Sequence, residues 1–152
     1  MLIGVISDTH GLLRPEAVRA LEGSERIVHA GDVGDPGILK ELGRIAPVSA
    51  VRGNVDRGDL ARDLPATEVV PAGETDLYVL HDLAMLDLDP TAAGFGAVIY
   101  GHSHQPSVEL RDGVLYLNPG AAGPRRFRLP VTVARLTVTG SRLDAEIVEL
   151  DV

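Results

Sequence analysis

This chain has no cysteine and no tryptophan, and only two phenylalanines and three tyrosines among 152 residues. Without cysteine there are no disulfides and no thiolate zinc sites, which fits a soluble cytoplasmic protein. So few aromatic rings leave little with which to stack bases, which argues against a nucleobase-gripping pocket. Basic residues are also in short supply. Fourteen Lys and Arg face twenty-two Asp and Glu, a net charge of −8, so the basic footprint of a generic DNA- or RNA-binding protein is missing. No apolar run reaches the ~18 residues of a membrane span, so no membrane partner is expected. The opening stretch Met1–Asp8 lacks a basic region and carries a carboxylate at position 8, so it reads as a first strand rather than a signal peptide.

What the chain does have is enough for one domain with a sizeable core: 152 residues, 45% hydrophobic. In the first half, apolar runs alternate with helical patterns. Strands are expected at Leu2–Ser7, Arg26–His29 and Pro47–Val51, with helices at Arg14–Leu21 and from Asp35-Pro36 to about Ile45. The second half reads as meanders. Hairpins are expected from Thr67–Val70 and Leu77–Leu80, from Ser107–Arg111 and Val114–Asn118 across Asp112-Gly113, and from Val131–Val138 and Arg142–Leu150. A short helix from Asp89-Pro90 and a strand Ala97–Tyr100 lie between the first two. This pattern implies an α/β fold of two packed sheets with helices outside.

Five short blocks carry the chemistry: Asp8-Thr9-His10-Gly11, Ala30-Gly31-Asp32, Arg52-Gly53-Asn54-Val55-Asp56, Leu80-His81-Asp82 and Gly101-His102-Ser103-His104. Each sits just after an expected strand, most beside a glycine. Together they offer two strong carboxylates, four imidazoles and an amide. That mixed oxygen and nitrogen set is what two divalent cations need while keeping open positions for water and substrate. Asp8 and His10, two apart at a strand's end, should project to the same side. Two bound cations would bring the net charge from −8 to about −4.

The five blocks, in this order, resemble the calcineurin-like metallophosphoesterase superfamily, and their short spacing resembles its small, cap-less bacterial and archaeal phosphodiesterases. The likeness runs from Ile3-Gly4-Val5-Ile6-Ser7-Asp8 to Leu117-Asn118-Pro119-Gly120-Ala121 and the final hairpin. It implies a single four-layer α/β/β/α domain over residues 1–152 with a dinuclear centre at the strand ends. Position by position, it implies one ion held by Asp8, His10, Asp32 and His104. It implies a second held by Asp32, Asn54, His81 and His102, with Asp32 bridging. The metal the resemblance suggests is Mn²⁺, with Fe, Ni or Zn as alternatives. The implied reaction is hydrolysis of a small phosphodiester, in which a water activated at the two ions attacks phosphorus in line.

Two positions depart from the family pattern. Relatives that handle monoesters often carry His after the motif asparagine, to protonate the leaving oxygen; here it is Val55, which transfers no proton. Asp82 stands where glycine usually follows the ligand histidine, and it reads as a cap on the next turn ahead of an orienter of an imidazole. Arg125 and Arg126 are candidate phosphate clamps, with Arg128 behind them. His29 reads as a hydrogen-bonded structural residue. Asp56 reads equally as a ligand orienter or a loop organiser. Asn118-Pro119-Gly120 resembles a loop at the site rim, with Ala121 where the family has serine. The remaining alternatives are a broad-specificity phosphatase or nucleotide pyrophosphatase, and, from another class, a non-catalytic scaffold of the kind a protein-sorting subunit makes of this fold after losing ligands. All seven ligand positions are filled here. A homo-oligomer paired through exposed strands of the final hairpins is also open.

Overall fold

A computed structural model describes residues 1–152. Two five-stranded sheets pack face to face. The first runs in the order β10-β9-β1-β2-β3, with β1 Leu2–Ile6, β2 Arg26–His29, β3 Val48–Ala50, β9 Thr132–Thr139 and β10 Arg142–Glu149. The second runs β4-β5-β6-β8-β7, with β4 Thr67–Ala72, β5 Thr75–Leu80, β6 Phe95–Ile99, β7 Ser107–Arg111 and β8 Val114–Asn118. Each contains three adjacent parallel strands, β1-β2-β3 and β5-β6-β8, and two further strands joined by antiparallel pairing, both on one side in the first sheet and one on each side in the second. Six strands therefore point their carboxyl ends the same way within their sheets, and every ligand block follows one of them.

The core between the sheets is wholly aliphatic. Ile3, Val5, Val28, Val70, Leu77, Ile99, Leu117 and Leu136 are among its sixteen buried residues. With so few rings in the chain, density comes from interdigitated branched side chains, which suit the pleated face of a strand. On the outer face of the first sheet, Ile6, Ile27 and Val133 pack under α1 Pro15–Leu21 and α2 Pro36–Leu42 through Ala17, Leu21, Ile38 and Leu42. Both helices start on a proline, whose missing N–H costs nothing at a helix start, and Asp35 caps α2 by accepting from the Gly37 N–H at 2.8 Å. The outer face of the second sheet holds Tyr78, Tyr116, Val98 and Leu80, covered by Phe95 and Tyr100 and by residues of a 3₁₀ turn at Leu83–Met85; α4 Pro90–Ala93 leads into β6 on that side. These are the four layers expected. No helix is long and apolar enough to cross a membrane.

All three hairpins form, and Asp112 and Gly113 both take positive φ at the β7–β8 turn, +50° and +79°, as a two-residue type I′ turn requires. The second half is nevertheless no plain run of meanders. β6 lies parallel between β5 and β8, and the β9–β10 hairpin leaves that sheet to pair with β1. A short α3 at Asp59–Asp63 was not anticipated, and α2 stops at Leu42 rather than Ile45 because Gly43 ends it. β7 and β10 are outermost strands, each at the edge of its sheet.

Candidate metal centre

The strand ends bring five of the seven expected ligands close together in space, with His102 and Asn54 beside them. Asp8, His10 and His104 offer one group of donor atoms within 4.8 Å of one another, and Asp8, Asp32 and His81 offer a second. His104 Nε2 stands 3.2 Å from His10 Nε2 and 3.3 Å from Asp8 Oδ1. His81 Nε2 stands 3.1 Å from Asp32 Oδ2, which is itself 3.6 Å from His10 Nε2. His102 lies beside them, its ring edge-on to that of His81 at 5.3 Å between centroids. Asn54 pairs with His102, whose Nδ1 lies 3.2 Å from Asn54 Oδ1.

The route to this convergence differs from simple strand alternation. β1 ends at Ile6, so Asp8 and His10 do not share a face of a strand. Both have left-handed backbone, with φ of +54° and +45°, as do Asp32, His102 and His104 at +55°, +72° and +63°. Only two other non-glycine residues, Asp112 and Phe127, adopt positive φ. A left-handed L-residue costs on the order of 1–3 kcal/mol and persists where its surroundings over-determine it. Here the surroundings are long-range hydrogen bonds. The N–H groups of Asp8 and His10 donate to Gly31 and Asp32 carbonyls, and Gly101 N–H donates to His81. Gly53 is required because a Cβ there would collide with Asp32, and Gly101 because one would collide with Ser7 and Asp8.

Each carboxylate divides its oxygens between scaffold and cluster. Asp8 Oδ2 accepts from Ser7 Oγ at 2.6 Å and from the His102 N–H at 3.1 Å, while Oδ1 faces the imidazoles. Asp32 Oδ1 accepts from the Val55 N–H at 3.0 Å, while Oδ2 faces His81 and His10. His81 Nδ1–H donates to the Ala30 carbonyl at 2.7 Å, which turns Nε2 toward the carboxylates.

Burial pushes the Asp8 carboxyl up, but His10, His104 and Ser7 outweigh it and hold it well below the usual carboxylate range. Asp32 is lowered in the same way, with His81 and the Val55 N–H overcoming its desolvation. His10 is raised chiefly by Asp8, and His81 is raised because Asp32 and Asp8 outweigh its burial.

Three buried atoms in the cluster have no hydrogen-bond partner: Asp8 Oδ1, His81 Nε2 and His104 Nδ1. Asp32 lies within reach of His81 Nε2, yet the angle is wrong for a hydrogen bond. Leaving such groups unpaired costs about 1–3 kcal/mol each. Donors bound to one ion at about 2.1 Å stand roughly 3.0–3.5 Å apart. The observed separations of 3.1 to 3.9 Å overlap that range and extend slightly above it, so the donor set fits divalent cations.

The other candidate residues have clear positions. His29 is fully buried: Nδ1 accepts the Gly31 N–H at 3.1 Å, so Nε2–H donates to Thr9 Oγ1 at 3.0 Å, and Thr9 passes its own proton to the Val33 carbonyl. Burial pushes it down to about 4, so it stays neutral. Asp56 accepts from the N–H groups of Val33, Gly34 and Gly53, and so ties the Asp32 loop to the Asn54 loop. Asp82 caps the 3₁₀ turn through the Ala84 N–H, and its Oδ2 lies 3.8 Å from His102 Nε2. Asn118 is no rim residue. It is fully buried behind the histidine loop, donating to the Gly101 carbonyl and Ser103 Oγ and accepting from the Gly120 N–H. Ser7 and Thr9 were missed by sequence reasoning. Both sit inside the first block, but nothing in their residue type distinguishes them from ordinary loop hydroxyls.

Two clefts flank the cluster. One of about 460 Å³ opens beside His10 and His104 and is walled by Pro124, Arg125, Arg126 and Phe127. The other, about 490 Å³, opens beside Asn54 and His81 and includes Arg52, Asp82 and Met85. Arg125 is not free to clamp a phosphate, since its guanidinium donates to the Leu129 and Val152 carbonyls. The positive charge of Arg126 is close enough to oppose protonation of His10.

Residues 1–141 match the calcineurin-like phosphoesterase superfamily domain, and the chain belongs to that family. A probable metallophosphoesterase of Methanothermobacter thermautotrophicus is 39% identical, covering 97% of this chain and 92% of that protein. A phosphodiesterase of Methanocaldococcus jannaschii is 29% identical over 79% of this chain and 83% of its own length. Among solved structures, the vacuolar protein sorting 29 protein of Entamoeba histolytica in complex with zinc shares the fold. Its TM-score is 0.74 at 20% identity, covering 98% of this chain and 99% of that one. The chain is a metal-dependent phosphoesterase.

Proposed function

We propose that the chain hydrolyses small phosphodiesters at a two-cation centre. In this reading Asp8, His10, Asp32 and His104 hold one ion, and Asp32, Asn54, His81 and His102 hold the other. The observation that carries it is the pair of unpartnered buried atoms, Asp8 Oδ1 and His81 Nε2, turned toward one another across a cluster of spaced donors. Asp32 Oδ2 stands between His81 and His10, one ring from each set, where a bridging carboxylate belongs. Bound divalent cations would supply an activated water and offset charge at phosphorus, and Mn²⁺ suits this oxygen and nitrogen set.

The chain's own side chains bear on the substrate class. At position 55 only the backbone N–H is used, on Asp32, and the exposed valine side chain holds no proton to give. Leaving groups that need protonation therefore lose help typically worth about 10²–10⁴-fold. That favours diesters with good leaving groups over alkyl monoesters, as does the phosphodiesterase among the relatives. Arg126, exposed beside His10, is the remaining candidate to hold a phosphoryl oxygen.

The test is turnover by the manganese-loaded protein on matched substrates. An aryl phosphodiester should be cleaved much faster than an alkyl phosphomonoester, and a preference for the monoester would overturn the assignment. A scaffold role is separated by the same assay, because a protein-sorting relative of this fold also takes zinc and metal content alone does not discriminate.

A further inference from the structure

The chain has five aromatic side chains of the Phe, Tyr or Trp type. Tyr78, Tyr116, Phe95 and Tyr100 are packed together on the outer face of the second sheet. The fifth, Phe127, is 90% exposed, and it stands on the wall of the cleft that His10 and His104 share with Arg126. An exposed ring between Arg126 and Arg128 gains nothing by burial there.

Its backbone is held at a cost as well. The Leu129 N–H donates to the Arg126 carbonyl at 3.1 Å, closing a tight turn with Phe127 and Arg128 at its centre. Phe127 takes φ +54° in that turn. Glycine is the residue such a position favours, and a bulky side chain there is an outlier. The loop around it is anchored: Gly123 N–H bonds the Asp8 carbonyl, Arg14 Nε–H bonds the Gly123 carbonyl, and Arg125 bonds Leu129 and Val152. The ring is thus held at a fixed distance along the chain from a ligand loop, unstable where it is, and uncovered.

We propose that Phe127 is a specificity-determining platform that stacks on a planar, aromatic substituent of the phosphodiester substrate while Arg126 faces the phosphoryl group. This rests on the phosphodiesterase reading above and adds the chemical class of the substituent: aryl or nucleobase, stacked on one face only because the cleft has no second Phe, Tyr or Trp and its two imidazoles belong to the metal cluster. Stacking of one ring on one base is worth roughly five- to a hundredfold in affinity.

Phenylphosphonate and methylphosphonate, which are not hydrolysed, separate this inference from the catalytic one. Titration calorimetry on metal-loaded protein should show phenylphosphonate bound about tenfold more tightly than methylphosphonate. The ratio should fall to near one in Phe127→Ala and in Phe127→Gly, and survive in Phe127→Tyr. Phe127→Gly should also melt at a higher temperature than wild type, since glycine relieves the turn, so a loss of selectivity there is no loss of fold. Equal binding of the two phosphonates by wild type, or an unchanged ratio in Phe127→Ala, overturns the platform whatever the protein hydrolyses. Absent turnover with the ratio intact overturns the phosphodiesterase reading alone. The aryl and nucleobase sources are then told apart by kcat/KM of wild type and Phe127→Ala on a phenyl diester and on a nucleoside phosphodiester; a larger loss on one identifies it as the substituent the ring fits.

Discussion

The two halves of the metal cluster are built to different standards. Asp8, Asp32, His81 and His104 are each no more than 5% exposed, and their loops are stitched to one another by backbone hydrogen bonds. The His102 side chain is 46% exposed and Asn54 is exposed too, and the two bond each other instead of facing the carboxylates. The buried half is organised before an ion arrives, so little order is lost on binding. The exposed half must first break the His102–Asn54 hydrogen bond and settle two mobile side chains. Two sites with a shared carboxylate but unequal preorganisation should differ in affinity, one ion held tightly and one exchanging.

The largest effect should come from Asp32, the carboxylate that the proposed reading shares between the two ions. Asp32→Ala should strip both ions and lower turnover on the order of 10³-fold, since a metal's charge stabilisation is worth several kcal/mol. Elemental analysis after dialysis checks occupancy. Asn54→Ala and His102→Ala should instead keep close to one equivalent and lose about 10²-fold in turnover. If either strips both ions as Asp32→Ala does, the halves are one cooperative site and the comparison is wrong.

The buried half also depends on a chain of neutral hydrogen bonds, His29 to Thr9 to Val33. Thr9→Val removes the middle link, leaving the His29 Nε2–H and the Val33 carbonyl without partners, and should cost about 1–3 kcal/mol. For a domain of this size that is roughly 3–10 °C in melting temperature, read in the metal-loaded protein by calorimetry. A similar loss from Val55→Ala, on the exposed side, would remove the contrast.

Protons and metals compete for the same nitrogens, and this gives a pH signature. In metal-free protein, His10 and His81 titrate above their ordinary value of 6.5. The stability they contribute is fully present below 6.5 and is lost as pH rises through the raised values. His29 has the opposite sign: its contribution is present above 6.5 and lost as pH falls toward about 4, so it is silent on the alkaline side. Asp8 and Asp32 act only below the ordinary carboxylate value of 3.8. Metal-free protein should therefore melt a few degrees lower at about pH 8 than at about pH 6.5, while the loaded protein does not, the ions having replaced the protons. Equal slopes in both forms would mean these histidines do not bind metal.

Asp82→Asn should have the smallest effect. Asparagine caps the 3₁₀ turn as well as aspartate does, so the change isolates the charge 3.8 Å from His102 Nε2. Because the pair is partly exposed, turnover should fall by less than about tenfold, with stability unchanged. A larger loss, measured as kcat at saturating Mn²⁺, would place Asp82 within the exposed half as a true orienter of the imidazole.

Much of this was legible from residue order. The strands, both proline-started helices and the three hairpins follow from apolar period, capping residues and turn dipeptides, which are local properties; the parallel pairing of β6 between β5 and β8 does not. The roles of Arg125 and Arg126 were not legible, since two adjacent arginines look alike until one is seen bonded to the backbone of Val152, twenty-seven residues away. Asp56 could be read either way until its three N–H partners, two of them in the Asp32 loop, were visible. Asn118 reads as a rim residue for the same reason: besides the Gly120 N–H in its own turn, its partners Gly101 and Ser103 lie in the loop after β6.

Composition and spacing were enough to gather seven candidate donors suited to two cations, because ligand chemistry is a property of residue type. They could not say how. Asp8 and His10 reach the same point through left-handed backbone that their local sequence disfavours. That conformation is held only by hydrogen bonds to residues more than twenty positions away, and by glycines at 53 and 101 that let other loops close against the carboxylates. A conformation that local propensity opposes is decided by the packed chain as a whole, since only there do the distant donors and acceptors that compensate it come within reach.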